Sequence, residues 1–486
     1  MTASAHPAMN ASPSLDRLLI NGNLVVGAGP EIRVTNPATE VEVARIRSAS
    51  IAQLDQAVEA ARSAFFNPVW ADPVFRAKCL RRLAELIEEN CDLLMDAVIS
   101  EIGTPINLTS NHVLTPAAYL RWFADQALKD RTTKLGLNPS ATGISSVVYR
   151  PIGVVAAISA FNYPLLIGAT KSGGALAAGC TVVLLSSPQA PLAVSILGRL
   201  ATEAGLPPGV LNVIAGGVEV GRALTEHPGI DKVSFTGSVD VGRKVMQQAA
   251  SQLHSVVLEL GGKSAAIMLP GVDFEKYAFQ LHARYARNAG QGCGSPTRIL
   301  VEESRYAEFC EVSRKVFSRL KVGDPRDPTT ILGPLITARQ RDWIEETVQA
   351  AVDRGAEIIV GGGRPNIAKG WYLNPILVGG LTNQDPLTRE ELFGPVSVVL
   401  TYKSVDEAID IANDSPLGLK TYLFGERNQC IDLCPRLRVG TVQINGGSPL
   451  RPDAPMTGYK HSGVGSEWGE DGLREFMRPQ HIDVAI

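Results

Sequence analysis

In NAGQGCGSPTR, residues 288–298, one thiol, Cys293, stands among Gly290, Gly292 and Gly294. A structural cysteine usually packs as a small hydrophobe. Glycine neighbours instead leave the sulfur reachable and let another molecule approach the backbone. The stretch reads either as a nucleophile or as a glycine-rich turn that holds a cysteine. ELGGK, residues 259–263, puts the carboxyl of Glu259 at the end of an apolar run. Buried there with a raised pKa, it can take a proton from water near neutral pH; partly exposed, it is an ordinary strand-end glutamate. AFNYP, residues 160–164, offers the amide of Asn162, whose N–H donors suit a developing oxyanion and equally a plain turn. Phe235-Thr-Gly-Ser238 closes another apolar run, with Gly242 on the helical stretch that follows. Backbone N–H groups at such a helix start receive a pyrophosphate, and Gly237 permits its close approach. No G-x-G-x-x-G follows a strand pattern.

The elements that must position these groups alternate between long helical patterns and short apolar runs. That is the rhythm of parallel α/β units. VVAAIS (154–159) and TVVLLS (181–186) read as fully buried parallel strands. KVSFTGS (232–238), VVLEL (256–260), the runs at 358–362 and 376–380, and VSVVL (396–400) continue the series. Ser50 and Gln53 form a capping box ahead of a surface helix marked by Leu54, Val58, Ala61 and Phe65. Asn162, Phe235–Ser238 and Glu259 all follow strands, which is where α/β folds place their sites. SSVVYRP (145–151), after a polar loop, and HIDVAI (481–486) are orphan strands that pair with each other or with a partner subunit, or else fray from a larger sheet.

A chain of 486 residues divides into two or three domains. A net charge of −3 gives no footprint for nucleic acid or an anionic membrane surface, and no apolar run is long enough to span a bilayer. The first 16 residues lack Lys, Arg and an apolar core, so they read as a disordered start and not as a signal peptide. Seven cysteines without framework spacing suit a reducing cytoplasm, and no His/Cys spacing predicts a metal site.

Taken together, AFNYP, FTGS, LELGGK, GQGC, EELFGPV (390–396) and GYKHSGVG (458–465) resemble the aldehyde dehydrogenase superfamily, in family order and from about residue 17 to the end. Glu259 and Cys293 lie 34 positions apart, as in that family. The resemblance implies a Rossmann-like cofactor domain (17–128 and 152–261), an α/β catalytic domain (262–462), and an oligomerisation arm with a C-terminal tail (129–151 and 463–486). It implies Cys293 as nucleophile, Asn162 and the Cys293 N–H as oxyanion donors, and Glu259 as the base that hydrolyses the thioester to a free acid. NAD or NADP is implied as cofactor, with Ile158, Phe161, Leu185, Ser187, Gly217, Gly221, Phe235, Gly237, Ser238 and Leu260 around it, and Glu391 and Phe393 placing the nicotinamide ribose and ring. A homodimer or homotetramer is implied as the assembly.

Two departures bear on ligands. Relatives commonly carry K-P-[SA]-E where this chain reads Leu185-Ser186-Ser187-Pro188, and Trp is common where Phe161 stands. The missing lysine and glutamate predict weak binding of both cofactors with little preference between them. On the substrate side, Tyr163, Ile167 and Thr170 share a helix face, with Gly292 by the nucleophile. The apolar face predicts an uncharged aliphatic or aromatic aldehyde. Arg287 matches the arginine that relatives acting on succinate semialdehyde use for its distal carboxylate, so an acidic semialdehyde is the alternative; an ion pair at the surface or between domains is the other use for Arg287. A cofactor-poor thiol esterase or binding scaffold is the remaining reading.

Overall fold

Five apolar strands, Val154–Ile158, Thr181–Ser186, Leu211–Ala215, Lys232–Thr236 and Ser255–Glu259, run parallel in one sheet of the computed structural model, which describes residues 16–447 and 450–486. The predicted disordered start falls almost wholly outside the described residues. The strands are buried on both faces because the intervening chain forms helices that cover them, among them Pro164–Ala178, Leu192–Glu203, Val218–Glu226 and Val239–Ala250. Their spatial order places 154–158 at the centre, between 181–186 and 232–236. A hairpin, Arg17–Ile20 with Asn23–Val26, extends one edge antiparallel; Gly463–Val464 closes the other against 258–259. The capping box forms as read: Ser50 Oγ accepts from Gln53 N at 3.3 Å, and Gln53 Oε1 accepts from Ser50 N at 3.2 Å.

A second sheet is built from Ser264–Met268, Pro296–Glu302, Ile376–Gly379, Val396–Tyr402, Lys420–Phe424 and Thr441–Ile444, all parallel, with Glu357–Gly361 antiparallel at its edge. Only residues 260–263 join the end of 255–259 to the start of 264–268. The C-terminal end of the first sheet therefore abuts the N-terminal end of the second, and the candidate chemistry lies at that junction.

The two orphan strands do pair. Gly143–Pro151 runs antiparallel to Met477–Ala485 through nine registered pairs. Thr133–Leu137, read from sequence as polar loop, adds a third strand, with an irregularity between Lys134 and Gly136. Sequence missed it because every residue of TKLGL is exposed and its glycine breaks the alternation.

Candidate active site

The turn that carries the cysteine is held in an uncommon shape. After the helix Phe274–Ala286, residues Asn288, Ala289 and Gly290 take φ of 52°, 55° and 75° in succession. Left-handed backbone at an alanine persists only when its surroundings enforce it. Here hydrogen bonds with three remote segments do so. Thr104 Oγ1 donates to Asn288 Oδ1 (2.8 Å), Asn288 Nδ2 donates to Asn162 O (3.1 Å), Asn162 Nδ2 donates to Gln291 O (3.0 Å), and Ile336 N donates to Gln291 Oε1 (2.9 Å). The glycines earn their places by close approach. A Cβ at Gly290 would stand 2.0 Å from Gly394 C, one at Gly262 would stand 2.4 Å from Cys293 O, and one at Gly261 would stand 1.9 Å from Glu391 Oε2.

Cys293 emerges from this turn half-buried. Burial pushes its thiol up to about 11, against the pull of Lys420 and with the push of Glu391 and Glu259. Partial exposure alone does not single it out, since Cys91 and Cys434 share it. What sets Cys293 apart is its company. Asn162, 4% exposed, uses one Nδ2 hydrogen on Gln291 and has a second to give. Glu259 is buried, neither of its carboxylate oxygens has a partner among the described residues, and burial first, then the charge of Glu467, raises its pKa well above the usual range. An uncommitted carboxyl beside a thiol is placed to take a proton from water.

Sequence reading missed several members of this assembly. Lys171, wholly buried, forms an ion pair with Glu467 Oε1, and Ser234 Oγ lies 3.0 Å from the same ammonium. Both charges act on Glu259. A lysine inside the small-residue run GATKSGGALAAG was the available signal; Glu467 had none. Tyr422 Oη donates to Gly294 O at 2.6 Å, and the His112 ring stands edge-on to Tyr163 with centroids 4.5 Å apart.

On the expected cofactor side, Gly217 caps Val218–Glu226 and Ser238 caps Val239–Ala250, so two helix N-termini open on the strand ends. Gly217 has no heavy atom within 4 Å of where a Cβ would be, whereas one at Gly237 would lie 2.4 Å from the Phe235 ring. Ser159 Oγ, Thr236 Oγ1 and the Glu259 oxygens are buried without partners along the same strand ends, which fits a polar ligand laid across them. Phe161 and Phe393 meet edge to face with centroids 5.8 Å apart, and Ile158 is half-buried beside this end. Leu185 is buried, 3.6 Å from the Cβ site of Gly221, so it offers only an apolar wall. Ser187 Oγ accepts from Gln189 N, and Leu260 packs over Gly242. Glu391 accepts from Gly262 N at 3.0 Å, and burial raises its pKa to about 7.

On the expected substrate side, Tyr163 and Ile167 are half-buried one helical turn apart, and the Tyr163 hydroxyl lies 3.6 Å from the Cβ site of Gly292. Thr170 differs from expectation: it is buried and its hydroxyl donates to Leu166 O at 2.8 Å, so it presents no polar group. Arg287 is exposed and electrostatically coupled to His112, Tyr163 and Tyr422. Among the described residues no carboxylate lies within ion-pair distance of it.

A thiol, an amide donor and a carboxyl without a partner among the described residues, at the seam of two α/β sheets, make a site suited to covalent catalysis through sulfur. Residues 25–482 match the family model described as "Aldehyde dehydrogenase family". The chain is 37% identical over 454 residues to a geranial dehydrogenase of Castellaniella defragrans, covering 92% of this chain and 94% of the relative. It is 36% identical, with a TM-score of 0.92 and 97% of each chain covered, to an aldehyde dehydrogenase C mutant from Pseudomonas syringae in complex with NAD+ and octanal. It is 32% identical, with a TM-score of 0.95 over 99% of this chain and 97% of the other, to a betaine aldehyde dehydrogenase from Staphylococcus aureus in complex with NAD+. The chain belongs to the aldehyde dehydrogenase family.

Proposed function

We propose that the protein oxidises an uncharged aliphatic or aromatic aldehyde to the free carboxylic acid, using NAD+ or NADP+. The observation that carries this reading is the convergence of Cys293, the spare Asn162 N–H and the partnerless Glu259 carboxyl on one strained turn. The Cys293 thiolate adds to the aldehyde carbon, and the resulting alkoxide is held by Asn162 Nδ2 and the Cys293 N–H. A bound nicotinamide supplies the hydride acceptor. Loss of hydride leaves a thioester on Cys293; Glu259 takes a proton from water, which attacks the thioester carbon and releases the acid and the thiolate. The helix starts at Gly217 and Ser238 support dinucleotide binding, and NAD+ is bound in the P. syringae and S. aureus neighbours.

The uncharged face of Tyr163, Ile167 and Thr170, with the Thr170 hydroxyl turned back on its own helix, supports a neutral substrate, as do the geranial and octanal of the relatives. The unpaired Arg287 favours a second reading, an acidic semialdehyde. Arg287→Ala separates them: a sheltered carboxylate pair contributes roughly 2–5 kcal/mol, so KM for succinate semialdehyde rises selectively under the second reading and in step with a neutral aldehyde under the first. Release of free acid without coenzyme A tests the hydrolytic step. The cofactor and catalytic domain assignments belong to this reading, and so does assembly through the three-stranded arm. The arm exposes Leu135, Leu137, Ile144 and Val484, an apolar surface that a second subunit would cover.

A further inference from the structure

Lys420 opens the strand Lys420–Phe424 in the second sheet and is only 9% exposed. A buried ammonium is costly unless paired. Lys171 and Lys232 follow that rule with Glu467 and Glu475. Lys420 does not: among the described residues no carboxylate lies within ion-pair distance of Nζ, and no side chain hydrogen-bonds it. Its place is made by the residue after the nucleophile. A Cβ at Gly294 would stand 2.7 Å from Lys420 Cδ and 3.2 Å from Nζ, so the lysine lies in the gap that this glycine leaves.

The charges that face the ammonium are the Cys293 thiol, the Glu259 carboxyl and the Arg284 guanidinium. Glu391 also faces the thiol, and Glu467 and Lys171 face Glu259. Tyr422, on the same strand as Lys420, and Tyr163, just before the helix Pro164–Ala178, are the tyrosines that face the sulfur. Burial holds both groups able to neutralise Lys420, Glu259 and Cys293, toward their protonated forms. Glu259 answers first to Glu467 and Lys171, whereas Lys420 is the largest charge acting on the sulfur and the sulfur the largest charge acting on Lys420.

Resting on the reading of Cys293 as nucleophile, we propose that Lys420 is the charge partner of its thiolate, a positioning residue that occupies the space cleared by Gly294 and sets the pH at which the sulfur becomes reactive. The only bond broken is S–H, whose proton passes to solvent; Lys420 acts in its protonated form, which burial disfavours and the charge on the sulfur favours.

The test follows iodoacetamide labelling of the full-length protein across a pH series, with mass spectrometry reporting each cysteine, in wild type, Lys420→Met, Lys420→Arg and Gly294→Ala. An opposite charge at close range moves a pKa by about one to three units. The midpoint for Cys293 is therefore expected to rise by at least about one unit in Lys420→Met and to stay near wild type in Lys420→Arg. Gly294→Ala, which displaces the lysine without removing it, is expected to shift the midpoint in the same direction as Lys420→Met. Cys91 and Cys434 should keep their profiles, and turnover lost near neutrality should return at alkaline pH. An unmoved Cys293 midpoint in Lys420→Met overturns the proposal, as does an equal rise in Lys420→Arg, which would mean packing and not charge. If Lys420→Met does not fold, an unmoved midpoint in Gly294→Ala overturns it. Failure of Cys293 to label ahead of Cys91 and Cys434 in wild type is a separate result: it overturns the nucleophile assignment.

Discussion

Residues 288–294 and residues 186–190 both border the junction of the sheets, yet their constraints come from different distances. In the first, Thr104, Asn162, Ile336 and Gly394 all bear on a turn that would not otherwise hold three left-handed residues. In the second, past Ser186, whose Oγ donates to Ile214 O on the neighbouring strand, the contact is local: Ser187 Oγ accepts from Gln189 N two residues on, and Gln189 is exposed. A turn fixed by remote contacts keeps its geometry when a ligand arrives, and electrostatic stabilisation of a reaction depends on that. A turn fixed by its own neighbours can change sequence without disturbing anything else. The difference predicts where this protein tolerates variation: at 187–189, and not around Cys293.

The largest expected effect comes from removing the group that the first loop exists to place. Cys293→Ala should lower aldehyde oxidation by about three orders of magnitude or more and abolish ester hydrolysis, both read in steady-state assays. Residual oxidation near the wild-type rate would move the nucleophile elsewhere. Next comes Glu259→Gln, which should leave a burst of at most about one equivalent of reduced cofactor per site and cut steady turnover by about a hundredfold or more. Because the base form is required and its pKa is raised, wild-type deacylation should climb with pH on a limb that this variant lacks. Stability should respond with the opposite sign. The folded state holds a proton on Glu259 that the unfolded chain gives up, so its contribution is full below the ordinary carboxylate pKa and is lost as pH rises toward the raised value. Glu259→Gln should therefore raise Tm at neutral and alkaline pH and leave it unchanged in acid.

Gly290→Ala probes the remote contacts themselves. With Gly394 at 2.0 Å the turn must move, and kcat should fall at least about tenfold, or ~1.4 kcal/mol, while Gln189→Ala stays within about 0.5 kcal/mol in stability. Equal tolerance at both positions would erase the contrast. The smallest effect is the one that sharpens it. Wild type should bind NAD and NADP weakly, with a preference below about tenfold, ~1.4 kcal/mol, by calorimetric titration. Leu185→Lys with Pro188→Glu should tighten NAD alone, since a carboxylate ~4 Å from a 2′-phosphate repels it by about 4 kcal/mol before screening. Ser186 adds nothing, because it is buried and donates to Ile214 O; Ser187, which accepts from Gln189 N, keeps its O–H to donate, a contribution of about 1 kcal/mol. Tight, discriminating binding by wild type would show that other residues hold the adenosine.

The sequence by itself determined the alternation of parallel strands and helices, and it exposed Cys293, Glu259 and Asn162, because each sits in a short segment whose glycines or flanking strand mark it locally. It also marked the two orphan strands, 145–151 and 481–486, with their pairing to each other as one of the readings left open. What the tertiary structure alone decided depends on residues far apart in the chain. Lys171 meets Glu467 across 296 positions, and both bear on Glu259. Thr170, read as part of an open face, turns its hydroxyl back on its own helix. Lys420, an ordinary strand lysine by composition, lies in the space left at Gly294, next in sequence to Cys293, because that glycine lacks the Cβ that would block it. Local pattern reports whether a residue is suited to a task; the charge and desolvation that set its reactivity fall off within a few ångströms, and only the packed chain brings such partners that close.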